Sequence, residues 1–583
     1  MFLGAQKAGP DVVLGTAQDF SKMIGDHVNK TQSNNKYSNV LSEQSNQITL
    51  KTPTGEFTGV VNLAHTLGSS DQIVGAGEKS GSEFELHSEA DGTVSGLYTS
   101  VSDNVAYEYY TDSTNSTVRV KEVDISSVLC VEYNMVADSS VLNSATDANQ
   151  RRRLIQPIFE SLPNSKFVAY LDFDGEVYQG NWDGGQVINA QPINYSDKDI
   201  ETIWEYVRED FAPFDINITT SRAVYDATPT SNKMMVIITS TNWRGSGGVA
   251  YVNSFGTNTV CWAFNSGISA CSITISHELG HTMGLYHKGD PSTAYYAGHS
   301  DWGPIMGAPW GPPVVQWSKG EYPNANDTRD ELQIIASNNG FGYRSDQVGN
   351  NIQSASPLTV QANGAVSTND NEGLIEKTTD VDVFSFSTNQ GGNVALSIMP
   401  SAISPNLNIK ARLLDANGNQ ILVSDPSGTL VATLMGTVGQ GTFYVEIDGV
   451  GDGANPSVGY SDYNSMGPYS IGGSVPPNAV TTDCNNDIGG TASVDNCGVC
   501  AGGNTGITPN TTCTVDCNNV VNGTAFIDGC NICVGGNTGK TASVSTIPTG
   551  FILLGNEGET KTLPSTSDVI YGIPCKFIYQ YGV

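Results

Sequence analysis

The sequence is short of positive charge. Lys and Arg number 27 against 59 Asp and Glu, giving a formal net charge of -32. Binding nucleic acid needs clustered cations along the phosphate backbone. The one basic cluster, Arg151-Arg152-Arg153, follows a loop rich in Asp, Asn and Ser, so nucleic acid is excluded as a partner. Long apolar runs are also missing. No stretch reaches the roughly 20 residues a membrane helix requires, and a membrane span is not expected. Residues 1–15 place Lys7, Gly9, Pro10 and Asp11 where a signal peptide carries its apolar core, so no clear export signal is legible. Charged residues make up only 15% of the chain, and 64 of its 583 residues are Gly. Gly, Ser, Thr and Asn between short apolar runs are the texture of β-rich, loop-rich extracellular modules.

A chain of this length exceeds one hydrophobic core, and its texture changes along its course. Residues 1–153 are polar with strand-like alternation at 105–110 and 118–123. The Arg cluster at their end reads as an exposed processing site after a propeptide, or as a solvated charge run. Residues 154–347 mix strands, at 167–171, 216–219 and 234–238, with helices. Ser196 can cap a helix that places Ile200, Trp204, Val207 and Phe211 on one face, and a last helix is expected to start near Asn326 or Asp327. Residues 348–477 are strand and turn throughout, a β-sandwich signature. Residues 478–540 hold two repeats offset by 33, with Cys484, Cys497 and Cys500 recurring as Cys517, Cys530 and Cys533. Residues 541–583 look like an incomplete further module. The expected fold class is thus multidomain: a mixed α/β domain preceded by a β-rich region and followed by a β-sandwich and cysteine-rich repeats.

Eight of the 11 cysteines fall after residue 480. Two Cys-x-x-Cys pairs raise a zinc-ribbon reading, but the acidic, Gly-rich setting suits extracellular disulfides better. Clustered Asp and backbone carbonyls would also suit a structural Ca²⁺, although no full calcium loop is present. Cys261 and Cys271 enclose a short loop and form a candidate disulfide, with two buried thiols as the alternative. The odd count leaves one thiol over, and Cys130 is the best candidate.

The densest chemistry lies in His277-Glu-Leu-Gly-His281-Thr-Met-Gly-Leu-Tyr-His287. Side chains four apart share one helical face, so His277 and His281 can present imidazole nitrogens to one ion. Glu278 adjoins the first of them and is placed to act as a general base. Gly284 can take the left-handed conformation that ends a helix sharply. The chain then reverses and brings His287 in as a third ligand. Three neutral imidazoles leave a Zn²⁺ ion one open position, where it lowers the pKa of water to roughly 7.

This eleven-residue motif resembles the metzincin zinc metallopeptidases, and features of residues 165–345 are similar to a bacterial reprolysin/adamalysin-like branch. The resemblance implies that Met306, in Gly303-Pro-Ile-Met306, forms the turn beneath the metal ligands. It implies that Gly248, Val249, Ala250 and Tyr251 belong to an edge strand that pairs with extended substrates, and that Trp310 helps wall a substrate pocket. It further implies an inhibitory zinc ligand in a propeptide, for which Cys130 is the candidate, the alternative being a buried apolar cysteine in a strand flanked by Leu129 and Val131. Two positions depart from the family pattern: Lys288 follows the third histidine where Asp is usual, and Ala308 stands where astacins and serralysins carry Tyr. Residues 348–477 resemble the bacterial prepeptidase C-terminal domain through Asp380-Val-Asp-Val-Phe-Ser-Phe386 and the strand at 441–447. The expected function is a secreted zinc-dependent endopeptidase acting on proteins or peptides and made as a zymogen. The alternative is a non-catalytic secreted adhesin or matrix-binding protein on a metalloprotease-like scaffold.

Overall fold

The computed structural model describes residues 11–34, 46–67, 69–79, 81–130, 156–309, 311–478, 482–487, 490–511, 513–528, 531–542, 551–556, 569–573 and 576–580. Arg151, Arg152, Arg153, Trp310, Cys530 and Cys575 lie outside the described residues. The chain forms two compact units, residues 1–477 and 478–583.

The first unit opens with a strand, Val12–Thr16, and a helix, Ala17–Asn34, followed by seven strands between Gln47 and Val123. All eight strands form one antiparallel sheet, in which the first strand pairs with the last and the others follow in sequence. The helix buries Ile24 and Val28, four residues apart, against Ile73, Phe84 and Leu86 of the sheet. The sequence reading had this region as strands alone, because Lys, Asp and Asn dilute the apolar stripe of the helix.

The central part is a mixed sheet in the order Asn217–Thr219, Val168–Asp172, Lys233–Ile238, Cys261–Ala263, Gly248–Val249. The first four strands are parallel and the last is an antiparallel edge. The parallel strands are almost wholly buried, as expected when both faces are covered. The helix expected after Ser196 spans Asp197–Asp210. Ser196 and Asp199 form a reciprocal capping box there, and Ile200, Trp204 and Val207 face the core. The last helix is Glu331–Asn338, capped by Asp330. It starts a few residues later than expected because Asp327 is engaged by the guanidinium of Arg329 and cannot serve as the cap.

Residues 356–474 fold as two facing sheets. One has the order Ser356–Pro357, Val381–Thr388, Gly441–Gly449, Ile409–Leu414, Gln420–Ser424, and the other runs Ala365–Val366, Gly467–Ser474, Gly392–Pro400, Ala432–Val438. This sandwich and the mixed sheet share one continuous apolar core. Within the second unit, disulfides join Cys484 to Cys500, Cys497 to Cys513 and Cys517 to Cys533. The first Cys-x-x-Cys thus sends its two sulfurs to different partners, which removes the zinc-ribbon reading for that repeat. The described residues of the repeats give the calcium expectation no support. Asp483, Asp495, Asp516 and Asp528 spend carboxylate oxygens on backbone N–H groups of their own turns. Among the described residues of the repeats, no group of carboxylates converges.

Candidate metal centre

The helix Ile268–Thr282 runs through the core, and every residue from Cys271 to Thr282 is buried. Its end is set by glycine. Gly284 has φ 101°, its N–H donates to His281 O, and the Leu285 N–H donates to Gly280 O. These are the two bonds of a Schellman motif. A Cβ at Gly284 would also come within 2.7 Å of Asn338 Nδ2. The reversed chain then carries His287 back beneath the helix.

His277, His281 and His287 converge. The Nε2 atom of His281 is 3.1 Å from that of His277 and 3.0 Å from that of His287. Nδ1 of His277 donates to Ile305 O and Nδ1 of His281 donates to Leu285 O, both at 2.9 Å. Those bonds hold each ring in the tautomer whose Nε2 carries a lone pair. Burial pushes the pKa values of His277 and His287 well below the ordinary imidazole range, with neighbouring imidazoles adding to the effect, and pushes that of His281 down to about 4. All three are therefore neutral, which is the ligating form. Tetrahedral zinc with nitrogens at about 2.0–2.1 Å needs ligand nitrogens about 3.3 Å apart, so the donor set fits that ion.

Glu278 points to the same place. Its Oε2 is buried without a hydrogen-bond partner. Burial holds its carboxyl well above the usual range, and the thiol of Cys130 pulls the other way. Cys130 Sγ lies 3.5 Å from His287 Nε2 and 3.7 Å from Glu278 Oε1. Together with the three histidines it forms a group of potential metal donors whose ligand atoms all lie within 4.8 Å of one another.

The surrounding elements are tightly fitted. Met306 is fully buried beneath the helix, and a Cβ at Gly280 would meet its sulfur at 2.7 Å. A Cβ at Gly248 on the edge strand would collide with the Glu278 carboxyl. Past Val249 the edge continues through Ala250 and Tyr251, where residues 128–130 pair with it. The Cys130 N–H donates to Ala250 O and the Val252 N–H donates to Val128 O, both at 3.1 Å.

Cys261 and Cys271 are not bridged, which corrects the disulfide expectation. Cys261 sits in a strand with its sulfur near Met235 O, while Cys271 lies on the helix against Tyr195. Burial pushes the Cys271 thiol up to about 12. His299 bonds Tyr296 OH and Gly459 O.

Two residues near the site had no role in the sequence reading. The Tyr295 ring lies 4.2 Å from that of His287, brought there by a loop return without a spacing signal. Lys288, noted only as a departure, is wholly buried. Its ammonium donates to the carbonyls of Asp327 and Arg329, its backbone N–H donates to Met306 O, and it lies 3.5 Å from Glu331 Oε1. A buried cation at that position ties the third histidine to the turn of Met306 and to the following helix.

Residues 193–288, which include the helix and all three histidines, match the protein-family model described as metallo-peptidase family M12B, reprolysin-like. This segment is similar to that metallopeptidase family. The reprolysin-like segment ends just after His287, so Met306 and the sandwich lie beyond it. Among solved structures, the chain is similar to the pre-peptidase C-terminal domain of collagenase from Bacillus anthracis, at 12% identity and a TM-score of 0.15, over 22% of this chain and 95% of that one. No curated protein matches. Among the described residues, no helix is long and apolar enough to cross a membrane.

Proposed function

We propose that this chain is a secreted zinc endopeptidase of the metzincin type, held latent by its own N-terminal region. The observation that carries the reading is the convergence of three neutral imidazoles, two of them oriented by backbone carbonyls, beside a buried carboxyl with an open oxygen. His277, His281 and His287 would hold the ion. Zinc bound there would polarise a peptide carbonyl and acidify water at its open position. Glu278 takes the proton of the attacking water at its carboxylate and passes it to the departing amine nitrogen. Gly248 leaves that carboxyl the space it occupies. Gly248, Val249, Ala250 and Tyr251 bind an extended peptide by main-chain pairing, and Met306 supports the histidines from below.

In the latent form Cys130 would supply the fourth donor to the ion. A tetrahedral site with sulfur at about 2.3 Å places that sulfur about 3.6 Å from each nitrogen, and Cys130 Sγ is 3.5 Å from His287 Nε2. Cleavage at Arg151–Arg153 would separate the inhibitory segment from the enzyme. Three disulfides and a net charge of -32 suit an extracellular protein.

The test is metal analysis of the purified full chain together with casein hydrolysis. About one zinc per chain is expected for a single tetrahedral site. Cys130→Ala is expected to raise the activity of the unprocessed chain by at least about tenfold, as the thiolate no longer fills the open position. A chelator or Glu278→Ala should abolish activity, the latter with zinc retained. Full activity in Glu278→Ala would refute the mechanism, and a Cys130→Ala precursor as silent as wild type would refute the latency.

A further inference from the structure

The direction in which residues 128–130 cross the metal centre carries information about what the cleft accepts. Their two hydrogen bonds to the edge make an antiparallel pair in which Leu129 stands directly opposite Tyr251. In such a pair, facing side chains share one side of the sheet and sequence neighbours project to the other. Cys130 accordingly falls with the core of the active-site helix. Leu129 falls on the opposite side, fully buried in an apolar cluster that includes Val249, Trp182 and Trp262, with Tyr251 packed against it.

The N-terminal region lends Ala106 and Ile125 to that cluster, while its aromatic wall comes from residues 170–264. Trp182 stacks on Tyr251, with ring centroids 4.1 Å apart and 20° between planes. The Trp182 indole N–H donates to Val260 O, and the Tyr251 hydroxyl donates to Asn181 O. The cluster that Leu129 fills is apolar and rich in aromatic rings. A charged residue there would lose its hydration without a partner, and Gly or Ala would leave it underfilled.

Resting on the peptidase reading above, we infer that residues 128–130 lie in the cleft in the direction of a substrate, and that the Leu129 pocket is a specificity subsite. The substrate class is an extended peptide with a large aliphatic residue one position before the residue that faces the metal. Main-chain pairing to the edge strand is indifferent to side chains, so the selectivity resides in this pocket.

The test uses the full chain after limited proteolysis, with zinc content verified, on a library of unstructured decapeptides whose cut ends are sequenced. Leu, Ile or Met is expected at one fixed position on the N-terminal side of the cut bond, favoured by about tenfold or more over Ala, Ser and Asp, a ratio an apolar pocket can reach. A synthetic peptide with the sequence of residues 125–130 should inhibit the activated protein, and its Leu→Ser counterpart should be about tenfold weaker. Tyr251→Ser should flatten the preference; if that variant does not fold, the wild-type profile still decides. Equal cutting with Leu, Ser and Asp at every position before the bond would overturn the subsite while leaving the peptidase intact. A zinc-loaded, processed chain that cuts no peptide at all would sink the peptidase reading, and the subsite with it.

Discussion

Lys288 shows how much a single side chain can decide here. Its ammonium is wholly buried among two carbonyls and the carboxyls of Asp327 and Glu331. Burial outweighs its pull on Glu331, whose pKa rises to about 7. Lys288→Ala would strand those acceptors and leave a cavity beside His287. A loss of about 3 kcal/mol is expected, typical for removing one partner from a buried ionic contact, with zinc affinity falling alongside. Denaturant unfolding and metal titration check both. A variant as stable and as zinc-avid as wild type would show the buried lysine to be dispensable.

At the scale of elements, the end of the helix Asp197–Asp210 is tied by buried polar contacts to the helix Ile268–Thr282 and to Trp317. Ser276 Oγ donates to Asp210 Oδ2 at 2.6 Å, and the Trp317 indole donates to Asp210 O at 2.8 Å. The end of the Asp197–Asp210 helix thus buries two adjacent carboxyls. Burial pushes Glu209 up to about 8 and Asp210 up to about 7. A carboxyl whose folded pKa is raised is favoured protonated, so its contribution to stability is full below its unfolded pKa and is lost as pH rises through the folded value. For Glu209 the window runs from about pH 4.5 to about pH 8. Glu209→Gln keeps the shape and removes the titration. Its unfolding temperature should match wild type near pH 5 and exceed it by a few degrees at pH 8. A constant offset between the two proteins across that range would rule out the titration as the cause.

For the first compact unit as a whole, the sandwich is structurally inseparable from the peptidase-like sheet. Asn406 Nδ2 donates to Asp210 Oδ1 at 3.1 Å, and Gln316 Nε2 donates to Asn406 O and Asn464 O. The Tyr463 hydroxyl donates to Asp330 and accepts from the Leu332 N–H, fastening the cap of the helix Glu331–Asn338. With one apolar core spanning both parts, a chain ending at residue 347 would expose the face beneath Trp317 and Ile335. It is expected to be insoluble or to unfold well below the full chain, read by calorimetry and size-exclusion chromatography. A soluble, cooperatively folding product would contradict this.

Local rules made much of this legible. The cap at Ser196, the helical spacing of His277 and His281 and the glycine stop each depend on a few neighbouring residues, and the local backbone follows that spacing. The repeats gave away their offset but not their pairing, because bridge partners depend on how the turns fold back. Cys261 and Cys271 misled for the same reason: ten residues apart in sequence, they lie on a strand and a helix that aim their sulfurs at different neighbours.

What the sequence determined by itself was the ligand chemistry. Two imidazoles and a carboxylate at fixed offsets on one helix, with a glycine stop before a third imidazole, point to a divalent-ion site by local geometry. What only the tertiary structure decided was everything brought from a distance: Cys130 and Leu129 laid along the edge strand, Lys288 buried under the ligands, and Asn406 reaching the helix behind them. These contacts join residues more than a hundred positions apart, or loops without periodicity. They are fixed by which apolar faces close on one another, which no local pattern records.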